Sequence, residues 1–228
     1  MNYQGFYTFD HDHERYTDSQ FRDRQPLDDR AFRALIVEAR AGDERAIEVL
    51  FRDLYPRVLR FARVSEPRAA DDIAGEVWLA VARGLRAFDG ELVGFRAWVF
   101  SIARRRLADH RRTAVRRATD PVAAEFFSAH PAGADTEAEV VDQMTGQAAI
   151  DLIARTLPAD QAEVLTLRIL GDLDVAHVAE LMGRDANWVR VTQHRALRRL
   201  ATALGPAAVA DADKNFVDRV IPVESRTI

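Results

Sequence analysis

An all-α fold follows from three observations on the 228-residue chain. Apolar residues recur at intervals of three and four along most of it, no stretch sustains the period-two alternation of a half-buried strand, and no Asn-Gly or Asp-Gly pair joins two such stretches into a hairpin. With 48% apolar residues the chain can bury one medium core or two small ones. The expected architecture is two small helical domains joined by a flexible acidic linker. Residues 1–27 read as a mobile extension, 28–115 as a four-helix bundle, 116–146 as the linker, 147–204 as a helix-turn-helix domain and 205–228 as a tail.

The extension is aromatic and polar, without helical period. A first helix starts behind Asp28 and Asp29, whose carboxylates suit a helix start, carries Phe32, Leu35, Ile36 and Ala39 on one face, and stops at Gly42. The second begins near Asp43 and buries Ile47, Leu50, Phe51 and Leu54, with a bend predicted at Tyr55–Pro56 because proline removes a helix hydrogen bond. A third begins near Pro67 and aligns Ile73, Val77, Val81 and Leu85. After the break FDGELVG comes a fourth, in which Phe95, Trp98, Val99, Ile102, Ala103 and Leu107 share an arc. Four helices suffice for a bundle.

From Thr119 to Gln147 there are six acids and no lysine or arginine, with prolines and glycines and no long apolar stripe, which reads as a linker with a short helical piece near Glu137 to Met144. Beyond it, AAIDLIARTL, ADQAEVLTLRIL, DVAHVAELM and ANWVRVTQHRALRRLATAL read as short helices separated by Pro158, Gly171 and Gly183.

Composition excludes several functions. Without cysteine there is no disulfide, thiolate metal site or cysteine nucleophile, and the chain suits a reducing compartment. No apolar run approaches a membrane span and the first residues lack the pattern of a signal peptide, so a cytoplasmic location without membrane insertion is expected. P-loop, Rossmann, nucleophile-elbow and zinc-protease motifs are all missing, so no enzyme, catalytic residue or cofactor is expected. The HDH at 11–13 offers too few ligands in too loose a segment to make a metal site.

Two basic helices remain. In LDVAHVAELMGRDANWVRVTQHRALRRL, Val175, Val178, Ala179 and Met182 form a stripe, Gly183 permits a sharp turn and a second helix starts after Asp185, the layout of a helix-turn-helix whose second helix enters the DNA major groove. At 100° per residue, Val189, Gln193, Ala196, Leu197 and Leu200 pack while Asn187, Trp188, Val191, His194, Arg195 and Arg198 face outward. That outer face suits base edges, and Arg190 and Arg199 on its flanks suit phosphates. A merely solvated basic face is the alternative, and Trp188 on the polar side weighs against it.

The fourth helix of the bundle pairs Arg104 with Arg111 and Arg105 with Arg112 in two seams, and Asp109 stands within reach of Arg105 and Arg112. Such seams follow nucleic-acid backbones, although a solvated basic face over an aromatic core explains this helix alone equally well.

Together these stretches resemble the extracytoplasmic-function sigma factors, bacterial initiation factors that bring RNA polymerase to promoters. ADDIAGEVWLAVARGLRAFDG, FRAWVFSIARRRLADHRR and LPADQAEVLTLRILGDLDVAHVAELMGRDANWVRVTQHRALRRL carry the resemblance, over about residues 31–202. It implies that Asp71, Asp72, Glu76 and Trp78 bind the polymerase clamp. It implies −10 contacts through Phe88, Arg96, Arg104, Arg105, Arg111 and Arg112, with FDGELVGFR capturing a flipped base. It implies −35 contacts through Asn187, Trp188, Arg190, Val191, His194, Arg195 and Arg198, a flap contact by the second domain, a linker that threads toward the RNA exit path, and an anti-sigma partner. Arg105 stands where the family often has asparagine, and Trp188 where a smaller residue is usual. Both departures bear on promoter preference. A conventional helix-turn-helix regulator that binds duplex DNA unaided is the rival reading.

Overall fold

A computed structural model describes residues 27–119 and 146–205. The extension with its HDH, the Glu137–Met144 piece and the tail beyond Gly205 lie outside the described residues.

Helix α1 (Asp29–Ala41) opens where its sequence says it should. Asp28 accepts a 2.7 Å hydrogen bond from the Ala31 amide, and the chain leaves through Gly42 at φ +96°, a conformation that favours glycine. Helix α2 (Glu44–Ser65) is capped by Asp43, which accepts from the Ala46 amide at 2.8 Å, and it runs through Pro56 as one element. Arg57 Nε donates to the Asp53 carbonyl at 3.1 Å, supplying a side-chain donor one turn back beside the proline. Helix α3 (Ala70–Gly84) starts three residues beyond Pro67 without a side-chain cap and closes with a 3-10 turn at Leu85–Ala87. Helix α4 is the long Leu92–Thr119, reaching back into the expected break and four residues past the expected domain end at 115.

The core of this first module comes from all four helices: Phe32 and Ile36 of α1, Leu50, Leu54 and Phe61 of α2, Ile73, Val77 and Val81 of α3, and Phe95, Val99, Phe100 and Leu107 of α4. Phe61 meets Phe100 edge-on at 5.3 Å. Ile47 and Phe51, expected in the core, are only half-buried.

The second module comprises α5 (Gly146–Thr156), α6 (Ala159–Ile169), α7 (Val175–Met182) and α8 (Ala186–Leu204). Leu152, Ile153, Leu157, Ala162, Leu165, Ala196 and Leu200 form its inner cluster. The modules do not stand apart. Val64 of α2 packs on that inner cluster, and Val164, Leu167 and Leu173 belong to one contiguous apolar cluster with the first module's core. Among the described residues no helix is long and apolar enough to cross a membrane.

Candidate nucleic-acid interface

The helix-turn-helix is set by three backbone devices. Asp174 caps α7 by accepting from the His177 amide at 2.8 Å, and its carboxylate also meets His177 Nδ1 at 2.9 Å. Burial alone would raise the Asp174 pKa, but the hydrogen bonds and charge of His177 outweigh it and hold the carboxyl below its ordinary range. At the other end Gly183 takes φ +61°, and the amides of Gly183 and Arg184 return to the Glu180 and Ala179 carbonyls at 3.1 and 2.9 Å. Asp185 then caps α8, its Oδ1 accepting from the Trp188 amide at 2.8 Å. Two caps and one left-handed glycine fix the angle at which α8 is presented.

Helix α8 divides as its periodicity requires. Val189, Thr192, Ala196 and Leu200 are buried. Asn187, Arg190, Val191, His194, Arg195, Arg198 and Arg199 are exposed on the other side. Gln193 and Leu197, expected to pack, sit half-buried at the border, where Gln193 Oε1 accepts from Arg168 Nε at 3.1 Å. Thr192 was not among the expected inward residues, yet at three residues from Val189 and four from Ala196 it completes their stripe. Trp188 is half-buried against the apolar cluster, and the Arg184 guanidinium covers its ring at 5.3 Å, so part of its surface already has a partner.

On the first module the loop after α3 is built on aromatics. Phe88 is half-buried, its ring 5.0 Å from Phe95 and 5.4 Å from Trp98. Phe95 is fully buried, and Trp98 is half-buried rather than fully in the core. Trp98 presses so closely on Gly84 that a Cβ there would lie 2.6 Å from the indole, which only glycine permits. Asp89, Gly90 and Glu91 stand exposed over this platform.

The arginines of α4 separate into free and engaged sets. Arg105 is exposed with no partner among the described residues. Arg111 is exposed and its Nε meets Glu66 at 2.8 Å, while Arg112 is exposed and pairs with Asp109 at 2.5 Å. The expected orienting role of Asp109 thus falls on Arg112 and not on Arg105. Arg104 is held by Glu163 of α6 at 2.7 Å. Arg96 departs furthest from its expected position on an open DNA face. It is 5% exposed, next to Phe95 on the inward side of α4, with Nη1 on Asp172 at 2.5 Å and Nη2 on the Leu27 carbonyl at 3.4 Å. Burial pushes its pKa down and Asp172 pushes it back. The guanidinium stays charged. Nothing in the sequence points to Asp172 and Glu163, which lie 76 and 59 residues from their arginines.

The acids of α3 form a separate surface. Asp71, Asp72 and Glu76 are exposed, off the buried Ile73–Val77–Val81 stripe. Asp71 stands 3.8 Å from Arg63 and Glu76 3.7 Å from Arg106. Trp78, expected beside them, is half-buried and meets Phe51 edge-on at 4.8 Å, while Phe51 stacks on Tyr55 at 4.6 Å. No group of three or more His, Asp or Glu side chains among the described residues is placed to hold a metal ion.

Comparison with known proteins gives this geometry a family. The family described as Sigma-70 region 2 matches residues 50–117, and that described as Sigma-70, region 4 matches residues 147–200. The ECF RNA polymerase sigma factor SigD of Mycobacterium tuberculosis is 34% identical over 175 residues, covering 73% of this chain and 81% of the relative. The chain belongs to the extracytoplasmic-function sigma factor family. The ECF sigma factor BldN of Streptomyces coelicolor is 31% identical over 172 residues, and the match covers 75% of this chain and 64% of BldN. The sigma factor RpoE, solved in complex with the anti-sigma factor NepR from Bartonella quintana, shares the fold with a TM-score of 0.52 at 20% identity, over 69% of this chain and 95% of that one. In the terms of this sigma factor family, α2 to α4 make up region 2 and α5 to α8 make up region 4.

Proposed function

We propose that this sigma factor binds core RNA polymerase and directs promoter-specific initiation, reading the −35 element with region 4 and reading and melting the −10 element with region 2. The observation that carries this reading is the pairing of two basic helices in one chain: α8, with an open polar face behind a fixed turn, and α4, with an arginine seam behind an aromatic platform. Duplex reading needs only the first. Melting needs a surface that holds unstacked bases, and we assign that role to the exposed loop beyond Phe88 at the start of α4.

Residue roles follow from chemistry and placement. Asn187, Val191, His194, Arg195 and Arg198 address base edges, Arg190 and Arg199 address phosphates, and Trp188 shapes the start of the helix. Arg105, Arg111 and Arg112 track the −10 backbone, Arg96 and Arg104 being engaged by Asp172 and Glu163, while Phe88 and the exposed loop beyond it hold a flipped base. Asp71, Asp72 and Glu76 form the clamp contact, with Trp78 shaping the helix face behind them. The first domain runs from 28 through the end of α4 at Thr119 and the second spans 147–204, joined by the acidic linker and flanked by the extension and tail. The second domain also meets the flap. The protein works in the cytoplasm, does no chemistry of its own, needs no cofactor, and is held by an anti-sigma partner.

Run-off transcription with purified core polymerase tests this. The chain is expected to initiate on promoters of its own genome only with the polymerase and to bind duplex DNA weakly alone. No initiation on any such promoter, with tight duplex binding by the chain alone, would establish a conventional helix-turn-helix regulator instead.

A further inference from the structure

We propose that Arg184, in the turn of the helix-turn-helix, is a DNA-phosphate contact at the leading end of α8, and that Trp188 is the residue that positions it. The contact rests on α8 being the helix that reads the −35 duplex, and it adds a cation that the periodicity of α8 does not contain.

The two flanks of α8 are unequal. At about 100° per residue, Arg190 lies about 60° to one side of Asn187, whereas Trp188 lies about 100° to the other. A helix seated by its N-terminal end in the major groove meets a sugar–phosphate backbone on each side, so a cation near its start is useful on both flanks. Arg190 serves one flank. On the Trp188 side the helix's own cations, Arg195 and Arg199, come about two and three turns later. Arg184 fills the gap from outside the helix: it precedes the Asp185 cap, and its guanidinium lies over the Trp188 ring at 5.3 Å.

Three contacts fix this pair in place. The Arg184 amide returns to the Ala179 carbonyl at 2.9 Å, the Trp188 amide is held by Asp185 at 2.8 Å, and the half-buried indole packs on the apolar cluster that contains Val178 and Val189. Arg184 itself is nonetheless exposed and has no carboxylate partner among the described residues. Stacking occupies the flat face of a guanidinium and leaves the N–H donors at its edge open, and those donors match the oxygens of a phosphate. A long side chain already held in one place loses less freedom when DNA arrives. The exposed Asp185 carboxylate at this end of α8 repels a phosphate, and a guanidinium on the preceding residue offsets it.

Anisotropy titrations of the full chain against a labelled mixed-sequence DNA duplex, at several potassium chloride concentrations, test this. R184A is expected to bind about fivefold more weakly at low salt, the scale of one charge-assisted contact, and to reduce the slope of log affinity against log salt by about one. W188L keeps the apolar packing and removes the aromatic face, so it should show most of the same loss, and adding R184A to it should cost less than about twofold more. W188F restores a ring and should recover most of what W188L loses. Circular dichroism and melting, expected to be unchanged in R184A, keep loss of fold out of the result. An unaltered salt slope in R184A overturns the phosphate contact, and an equal cost of R184A in the native and W188L chains overturns the positioning role of Trp188. No polymerase is present in these titrations. Initiation in the run-off assay without the R184A loss therefore removes the contact alone, and absent initiation with that loss intact removes the sigma factor reading and keeps the contact.

Discussion

Replacing Phe95 by alanine removes the ring on which Phe88 and the loop after α3 rest. The side chain is 0% exposed and its ring lies 5.3 Å from Phe32, 5.0 Å from Phe88 and 5.8 Å from Trp98. A buried Phe→Ala change costs about 3–5 kcal/mol through lost transfer energy and the cavity left behind. Three aromatic neighbours, each worth roughly 0.5–1.5 kcal/mol beyond burial, place this site in the upper half of that range, about 4–5 kcal/mol. That is a large part of the ~5–15 kcal/mol that holds a domain folded. Phe95→Leu keeps most of the apolar volume and should cost about 1–2 kcal/mol, from a smaller cavity. Urea unfolding followed by circular dichroism measures both, with the slope checked for constancy. The leucine variant stays folded but loosens Phe88, so permanganate reactivity of −10 thymines in the polymerase complex should fall while −35 protection is retained. An alanine variant that loses less than about 2 kcal/mol would refute Phe95 as the keystone of this platform.

Arg195→Ala should weaken −35 binding by about 1–3 kcal/mol if the side chain reads a base; equal loss on scrambled duplex, in holoenzyme competition assays, would reassign it to phosphate. Charge reversal at Asp72 and Glu76, both exposed, should impair capture by core polymerase without lowering the melting temperature, and an unchanged pull-down would discard that surface. The Asp174 carboxyl titrates below its ordinary range, so the stability it contributes is fully present above the unfolded-state pKa and is lost as pH falls through the lower folded-state value. Asp174→Asn keeps the cap and removes the titration, so its melting temperature should drop less than that of the native chain between neutral and about pH 3. Equal drops would show that the cap is not acid-sensitive.

Helix identity and facing were legible because they are local. Asp28, Gly42, Gly183 and Asp185 act at the positions where caps and a left-handed turn were expected, and the outer face of α8 emerged from periodicity alone. Pro56 costs a helix one hydrogen bond, yet α2 continues because Leu54, Val58 and Phe61 are buried on both sides of it, and their packing outweighs the lost bond. A misplaced boundary has a local cause too. The loop FDGELVG looked like a longer break because its glycines hide the start of α4 at Leu92. The engaged state of Arg96 and Arg104 was invisible for a different reason. Nothing within several turns of either residue announces a partner more than fifty residues away.

Val64 makes the boundary between the modules a shared possession. It is read as part of region 2, yet it packs against the inner apolar cluster of region 4. A chimera that joins region 2 of this chain to region 4 of a relative inherits each recognition surface intact but a mismatched seam. Promoter specificities in such proteins are therefore not freely recombinable parts. Val64, which limits their exchange, lies on neither α4 nor α8.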